Sequence, residues 1–207
     1  MTQIIDIKFS ESYIRIDLDT GETLRMSPEI YSIYSLSREM MIDSPLYHQL
    51  KEESERWQCK QKALNYLAVR SRSTQEMRTY LYKKGFSKDI IDEIVTGLKD
   101  NGYIDDYDFA VRFINTKRRS KIIGENSLKR DLYKKGLNRE IIKKALKATE
   151  TGNPNIKDIY ELALKKVIAL ENKKNKQVKL IYFLNQKGFQ ENQIRSVIDK
   201  LKNEGYI

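Results

Sequence analysis

The sequence predicts a mainly α-helical protein: three tandem three-helix modules in an elongated array, preceded by a small β-rich N-terminal domain. Three observations lead to this fold class. The 207 residues include only 3 Pro and 9 Gly, which are few turn residues for a sandwich or barrel. Apolar and polar side chains alternate with a period of two over the first 26 residues. Beyond residue 62, one pattern of apolar residues recurs every 51 or 52 residues.

The first 26 residues have the period-two pattern of short strands. Apolar side chains alternate with polar ones on either side of Asp19–Glu22, a turn segment in which Gly21 can adopt a positive φ. We therefore expect two or three short antiparallel strands.

Two Ser-Pro pairs follow, at Ser27 and Ser44, and each predicts the start of a helix. A serine side chain accepts hydrogen bonds from the free N–H groups of a helix start, and proline fits the first helical turn. We expect a short helix near residues 28–36 and a long helix from residue 45 to about residue 70.

The pentapeptide LYKKG reveals the repeat. It occurs at Leu81–Gly85 and again at Leu132–Gly136, and a related QKG ends at Gly188. Aligning the three glycines superposes apolar positions that have helical spacing. Each copy contains three predicted helices in about fifty residues, longer than the roughly 33 to 47 residues of common helical repeats. We therefore predict three small bundles in a row, each with its own core.

Capping residues mark the predicted helix ends. A left-handed glycine commonly ends a helix and is followed by an apolar residue that packs back on it. Four glycines are predicted to do so: Gly85, Gly102, Gly136 and Gly188. Helix starts are predicted at Ser87, Asn138 and Asn153-Pro154. The predicted domains are a β-rich domain (1–58), module one (59–106), a basic module two (107–150) and module three (151–207).

The sequence also indicates the cellular compartment of the protein. The single Cys59 cannot form a disulfide within the chain, and the N-terminus lacks a basic region followed by a long apolar run. No segment approaches the roughly 20 consecutive apolar residues that cross a bilayer. We expect a monomeric cytoplasmic protein without membrane contact.

The sequence does not indicate an enzyme. His48 and Cys59 are eleven residues apart on the predicted long helix, or roughly 16 Å, too far for a nucleophile and its base. Metal-binding cysteine spacing is absent. The glycines of Gly97–Tyr103 resemble a phosphate loop only superficially, because Tyr103 stands where that loop needs lysine. We expect no catalytic, cofactor-binding or metal-binding residues, and no cofactor.

Positive charge is concentrated in the middle of the chain. The net charge is +10 overall, −3 over residues 1–62, zero over 63–107, +9 over 108–148 and +4 over 149–207. Such an excess indicates contact with a polyanion, most often nucleic acid. A helix-turn-helix DNA reader is not expected in copy one, because its second helix is acidic, with Asp89, Asp92, Glu93 and Asp100.

The candidate anion-binding residues flank Gly124, which lies in a predicted loop. They are Lys117, Arg118, Arg119, Lys121, Lys129, Arg130, Lys134 and Lys135. Lys134 and Lys135, like Lys83 and Lys84, also suit a helix C-terminus, where a cation stabilises the helix dipole. Arg118, Arg119, Lys129 and Arg130 are denser than helix capping requires, so they are the strongest candidates.

A known family shares these motifs. The stretch ALNYLAVRSRSTQEMRTYLYKKGFSKDIIDEIVTGLKDNGYIDDYDFAVRFI, then a basic segment, Gly124 and LKRDLYKKGLNREIIKKAL, resembles the RecX regulatory proteins of bacterial recombination. The resemblance is strong from Ala63 to Leu146 and looser in copy three. The β-rich N-terminal domain is similar to an N-terminal extension of some members.

The resemblance implies a function as well as a fold. It implies three tandem three-helix modules in a curved, elongated protein that lies in the groove of the RecA filament on single-stranded DNA. Such a protein restrains RecA's ATP hydrolysis, filament growth and strand exchange in recombination, DNA repair and the SOS response. Family members also bind single- or double-stranded DNA to varying extents.

Three functions are left open by the residues themselves. The first is a non-enzymatic regulator of RecA–DNA filaments, the second an autonomous, non-sequence-specific DNA-binding protein, and the third a helical scaffold that binds only protein. One departure from the repeat bears on the fold: copy two passes into copy three through TETGNPNIK, where copy one has NGYIDD. We expect this second junction to be the looser one.

Overall fold

The chain is mainly helical, with a small antiparallel sheet at its N-terminus, as predicted. The computed structural model describes residues 1–170 and 175–207, and within them it contains four strands and ten α-helices. These residues divide into two compact units. The first comprises residues 1–72 and 76–104, and the second comprises residues 73–75 and 105–207.

The first unit begins with a four-stranded antiparallel sheet in the order β3-β2-β1-β4. Its strands are β1 (Thr2–Phe9), β2 (Ile14–Leu18), β3 (Thr23–Met26) and β4 (Met41–Ile42). Gly21 has φ +81° in the β2–β3 turn. The fourth strand is one more than predicted, because two residues are too few to show a period of two. It pairs with Thr2 and Gln3 at the edge of the sheet.

Four helices complete the first unit. They are α1 (Pro28–Tyr34), α2 (Ser44–Val69), α3 (Thr74–Lys83, whose first two residues belong to the second unit) and α4 (Lys88–Asp100). Ser27 caps α1 as predicted. The cap of α2 is Asp43 rather than Ser44, since the Asp43 carboxylate accepts a hydrogen bond from the Leu46 N–H at 2.9 Å. Serine therefore occupies the first helical position and proline the second.

The long helix α2 belongs to two cores. Near its start, Leu50 packs in the core of the sheet, and near its end Cys59 and Ala63 pack with α3 and α4. The predicted boundary at residue 58 therefore falls inside a continuous helix. Burial raises the pKa of the Cys59 thiol to about 12, with a smaller contribution from the Glu93 carboxylate.

The same helix covers the edge of the sheet at β3. The buried Ser54 hydroxyl oxygen accepts a hydrogen bond from the Arg25 N–H at 2.8 Å and another from Gln58 Nε2 at 3.1 Å. An open strand edge is a template for pairing with another chain. A side chain from α2 thus satisfies a backbone group that an edge strand would otherwise present.

The second unit contains six helices among its described residues. They are α5 (Asp106–Ser120), α6 (Glu125–Lys134), α7 (Arg139–Ala148), α8 (Ile156–Ile168), α9 (Lys176–Lys187) and α10 (Glu191–Asn203). Asn138 caps α7 as predicted. The prediction that Asn153-Pro154 begins the next helix is wrong. Asn155 is the cap, because its side chain and that of Asp158 form a reciprocal capping box.

Two backbone segments approach each other closely inside this unit. The Gly124 N–H donates to the Lys187 carbonyl oxygen at 2.9 Å, and the Asn126 N–H donates to the Gly188 carbonyl oxygen at 3.0 Å. A Cβ at Gly124 would lie 2.2 Å from the Gly188 oxygen. Because no real side chain tolerates that distance, the start of α6 can meet the end of α9 only through glycine.

A second contact of the same kind lies within this unit. The Ser73 hydroxyl donates to the Lys135 carbonyl oxygen at 2.7 Å, and a Cβ at Gly136 would lie 2.2 Å from the Gln75 Cβ. Ser73 and Gly124 occupy corresponding positions in the repeat, as do Gly136 and Gly188. In two places, therefore, the start of a helix packs against a turn that contains a glycine.

The expectation that the second junction is looser is wrong, because copies two and three form one compact unit. Besides the glycine contact, the segment before α6 joins their cores. Ile123 is buried in the core of α5, α6 and α7, and its neighbour Ile122 packs against the core of α8, α9 and α10.

The four-part division of the chain is retained as our proposal. Its support is that the buried apolar residues fall into four clusters: one in the sheet, one around α3 and α4, one around α5 to α7, and one around α8 to α10.

Two glycine-to-alanine variants separate backbone conformation from packing. Gly85 and Gly188 have nearly the same φ, +89° and +85°, but a Cβ at Gly85 meets nothing within 4 Å while one at Gly188 lies 2.1 Å from the Ser127 nitrogen. Gly85→Ala should lower the free energy of unfolding by about 1–2 kcal/mol, the cost of a left-handed alanine. Gly188→Ala should lower it by a further 1–3 kcal/mol or so through overpacking. Urea unfolding measures both, and equal losses would contradict the close approach.

Candidate functional site

The eight cations predicted to bind an anion lie on α5, on α6 and in the loop and cap next to them. Their side chains are in different situations. Some are held by neighbouring groups, while others are exposed. These contacts decide which of them can meet an external anion.

Arg118 is partly buried and bonded to other parts of the protein. Its Nη1 donates to the Thr149 carbonyl oxygen and its Nη2 to the Asn153 side-chain oxygen, while its buried Nε has no hydrogen-bond partner among the described residues. Burial lowers the pKa of the Arg118 guanidinium, and the Glu125 carboxylate partly opposes this shift. Arg118 thus ties α5 to the segment after α7 through both of its Nη atoms.

Two of the predicted lysines are paired with carboxylates. Lys117 Nζ lies 3.2 Å from an oxygen of Asp131, and Lys129 Nζ lies 2.6 Å from an oxygen of Glu125. Both lysines are only partly exposed. Their charges are therefore balanced locally before any ligand arrives.

Four of the other cations keep more of their charge available. Arg119, Lys121 and Lys134 are exposed, and none forms an ion pair with any residue that the structure describes. Arg130 is exposed and donates at 2.8 Å to the Gln186 carbonyl oxygen, which carries no formal charge. Lys135 is partly buried, and its backbone carbonyl accepts the Ser73 hydroxyl.

The structure adds a basic helix face that the sequence reasoning missed. In α7, Arg139, Lys143 and Lys147 are spaced four residues apart, so they share one side of the helix. They and Lys144 are exposed, and they form no ion pair in the described part of the chain. Counting charge helix by helix would have found this face, since α7 carries one carboxylate against four cations.

A groove between α6 and α7 brings one predicted residue together with this face. It has a volume of about 580 Å³, and Lys129, Arg139 and Lys143 line it beside Tyr133, whose side chain is 50% exposed. Glu125 and Glu140 also line it, which reduces its net charge. An exposed ring among cations suits a nucleic acid, because bases stack on the ring while the cations meet phosphates.

The two residues considered for catalysis offer no site. Cys59 is fully buried, and the rise in its pKa keeps the thiol protonated at neutral pH. His48 is exposed and lies against the ring of Tyr47. Over residues 1–170 and 175–207, no group of His, Cys, Asp and Glu side chains could hold a metal ion. Nor does any helix in these ranges have the length and apolarity to span a membrane.

Comparison with known proteins identifies the family. The family model described as the first three-helix domain of RecX matches residues 59–98, and that for the second three-helix domain matches residues 105–146. Regulatory protein RecX of Finegoldia magna is 30% identical over 191 residues, which cover 90% of this chain and 93% of that protein. This chain belongs to the RecX family.

Other RecX proteins agree in sequence and fold. Regulatory protein RecX of a Geobacillus species is 30% identical over 92% of this chain and 72% of its own length. A crystal structure of regulatory protein RecX covers 96% of this chain with a TM-score of 0.74 at 19% identity, which shows the shared fold. RecX from Lactobacillus salivarius covers 72% of this chain with a TM-score of 0.61 at 27% identity.

Adjacent arginines of this RecX chain should behave differently when truncated. Arg118→Ala removes the donors to Thr149 and Asn153 and should lower the free energy of unfolding by about 2 kcal/mol, since the carbonyl group of the buried Thr149 loses a partner. Arg119→Ala, on the exposed surface, should change it by less than about 0.5 kcal/mol. Chemical denaturation of the two variants checks this, and equal stability would show that Arg118 has no structural role.

Proposed function

We propose that this RecX-family chain binds the RecA filament on single-stranded DNA and inhibits RecA's ATP hydrolysis, filament growth and strand exchange. It acts without catalysis of its own, in recombination and DNA repair. The relatives are named regulatory proteins, which supports a regulatory role. The single observation that carries the filament contact is the unpaired basic face of α7 beside the α6–α7 groove.

The α7 face fits a nucleoprotein surface. Arg139, Lys143 and Lys147 lie one helical turn apart, about 6 Å per step, and so present a row of charge rather than a point. A row of unpaired cations attracts the phosphates of DNA and the carboxylates of a protein coat. Arg119 and Lys121, at the end of α5, add exposed charge to the same module.

The site residues assigned from sequence are revised in this proposal. Arg119, Lys121, Arg130 and Lys134 stay candidates for contact with the filament, because they are exposed. Arg118 leaves the set, because its guanidinium is bonded within the protein. The α7 cations take its place.

A second candidate function is autonomous binding of single-stranded nucleic acid. The observation that favours it is Tyr133, which is half exposed in a groove beside three cations. A scaffold that binds only protein is the third alternative. If the protein is such a scaffold, reversing the charges of the exposed cations would leave partner binding intact.

Reversing the α7 charges should weaken inhibition of the filament. With Arg139→Glu, Lys143→Glu and Lys147→Glu combined, we expect the concentration that halves RecA's single-strand-dependent ATPase rate to rise at least about tenfold, because three phosphate contacts are lost. A steady-state ATPase assay on preformed filaments measures this.

The matched control reverses three exposed lysines of module three, Lys157, Lys165 and Lys202, which changes the net charge equally. It should inhibit almost as well as the unmodified chain. Equal weakening by both triple variants would assign the effect to overall charge. If the unmodified chain in molar excess leaves the ATPase rate unchanged, the proposed function is wrong.

The salt dependence of the DNA-binding constant tests whether the protein binds DNA on its own. If about six phosphates are engaged, log K against log salt should have a slope near −5 on duplex and near −4 on single strands. The α7 triple variant should make the single-strand slope shallower by about 2. Fluorescence anisotropy with labelled oligonucleotides over a salt series gives these slopes, and a flat dependence would eliminate the DNA-binding alternative.

A further inference from the structure

The three glycine turns of the repeat differ in what covers them. In copy two the Lys135 carbonyl oxygen accepts a hydroxyl from the residue before α3, and in copy three the carbonyl oxygens of Lys187 and Gly188 accept N–H groups from the start of α6. In copy one the carbonyl oxygens of Lys84 and Gly85 accept no hydrogen bond from any residue that the structure describes. The turn of copy one, which has the same five residues as that of copy two, therefore has free acceptors.

The surface around the Gly85 turn is also less covered. A Cβ at Gly85 would meet nothing within 4 Å, although its φ of +89° is close to those of the other two glycines. The apolar residue after the glycine is buried at Leu137 and at Phe189, but Phe86 is only partly buried. Tyr82, in the last turn of α3, is 71% exposed. Copy one thus has the turn of the repeat without the helix start that covers it in the other copies.

The group that covers such a turn is shown twice within the chain. Both times it is the start of the second helix of the preceding copy, α3 at Gly136 and α6 at Gly188. The first N–H groups of a helix have no partners within it, so they complement free carbonyl oxygens. The second residue of each helix contacts the turn, Gln75 through its Cβ and Asn126 through its N–H. The occupant that fits the Gly85 turn is therefore another helix start of this kind.

The start of α9 is such a helix start. This helix is the second one of copy three, and its second residue, Gln177, is again an amide. Among the described residues, the N–H groups at positions 175–178 donate to no other element, and the Asn175 side chain does not cap the helix. Val178, at the third position, is 66% exposed. The start of α9 therefore has free donors that complement the free acceptors in the turn of copy one.

We propose that the Gly85 turn of one chain binds the start of α9 of a second copy of this chain. The Gln177 N–H donates to the Gly85 carbonyl oxygen, as the second residue of α6 does at Gly188. The contact joins unlike surfaces, so each added copy leaves one turn and one helix start free, and association continues head to tail. Because the interface is small, the chain is a monomer when it is dilute. The proposal does not rest on the proposed function.

Substitution of Gly85 should block association. A Cβ at Gly85 would occupy the space that the incoming backbone needs, just as one at Gly188 would lie 2.1 Å from a backbone nitrogen. Sedimentation velocity over a concentration series should show the unmodified chain growing beyond a dimer, and Gly85→Ala should lower the association constant at least about tenfold. The matched control is Gly102→Ala, since Gly102 has φ +72° and open space around its Cβ position but lies outside the LYKKG turn. It should associate as the unmodified chain does.

A second variant tests the other surface. Gln177→Pro removes the donor N–H from the start of α9, and proline is compatible with the second helical position because Pro45 occupies it in α2. Alone, this variant should also lower the association constant about tenfold. In an equal mixture, Gly85→Ala and Gln177→Pro each contribute one intact surface, so the mixture should form heterodimers and no larger species.

Three outcomes would overturn the proposal. An unmodified chain that remains a monomer up to about 1 mM lacks the contact, because a contact with a millimolar Kd would be half formed there. Equal association of Gly85→Ala and Gly102→Ala would assign the interface to another surface. The third outcome is a mixture of Gly85→Ala and Gln177→Pro that does not pair although circular dichroism shows both variants folded. RecA is absent from every measurement, so each of these results leaves the proposed function standing.

Discussion

The second unit depends on the close approach of two helix ends at Gly124 and Gly188. The first N–H groups of a helix and its last carbonyl groups have no partners within the helix. Here the N–H groups at the start of α6 donate to carbonyl oxygens at the end of α9, so each helix end satisfies part of the other's unpaired backbone. The contact leaves no room for a side chain on either glycine. It fixes the segment before α6, and with it the ends of α5 and α6 that carry the cations.

The helix dipole, and not this contact, accounts for the lysine that precedes the glycine in the repeat. The turn has two roles: its left-handed glycine ends one helix, and its carbonyl groups receive the start of another. The backbone carbonyl oxygens of Lys135 and Lys187 accept the hydrogen bonds at the two glycine turns. A positive charge at that position suits the end of the helix dipole. Duplication of LYKKG thus follows from the architecture of the repeated module.

Local signals predicted most of the fold, and long-range contacts account for the misses. Apolar periodicity and caps such as Ser87 and Asn138 act within a few residues, so they can be read from the chain. Arg118 could not be placed, because its partners at Thr149 and Asn153 are more than thirty residues away and include a backbone carbonyl. Gly124 looked like an ordinary loop glycine, since its partner lies in another module. The α7 face, by contrast, follows from local spacing alone, since Arg139, Lys143 and Lys147 recur every four residues.

The buried thiol of Cys59 has a practical consequence for studying this protein. A thiol in the core, with its pKa raised to about 12, reacts slowly with alkylating probes at neutral pH. Because it is the only cysteine in the chain, the folded protein should be almost unreactive toward maleimides. A cysteine introduced at any exposed position would then be a unique attachment point for a fluorophore or spin label. Distances between such labels could report how the two compact units are arranged in solution.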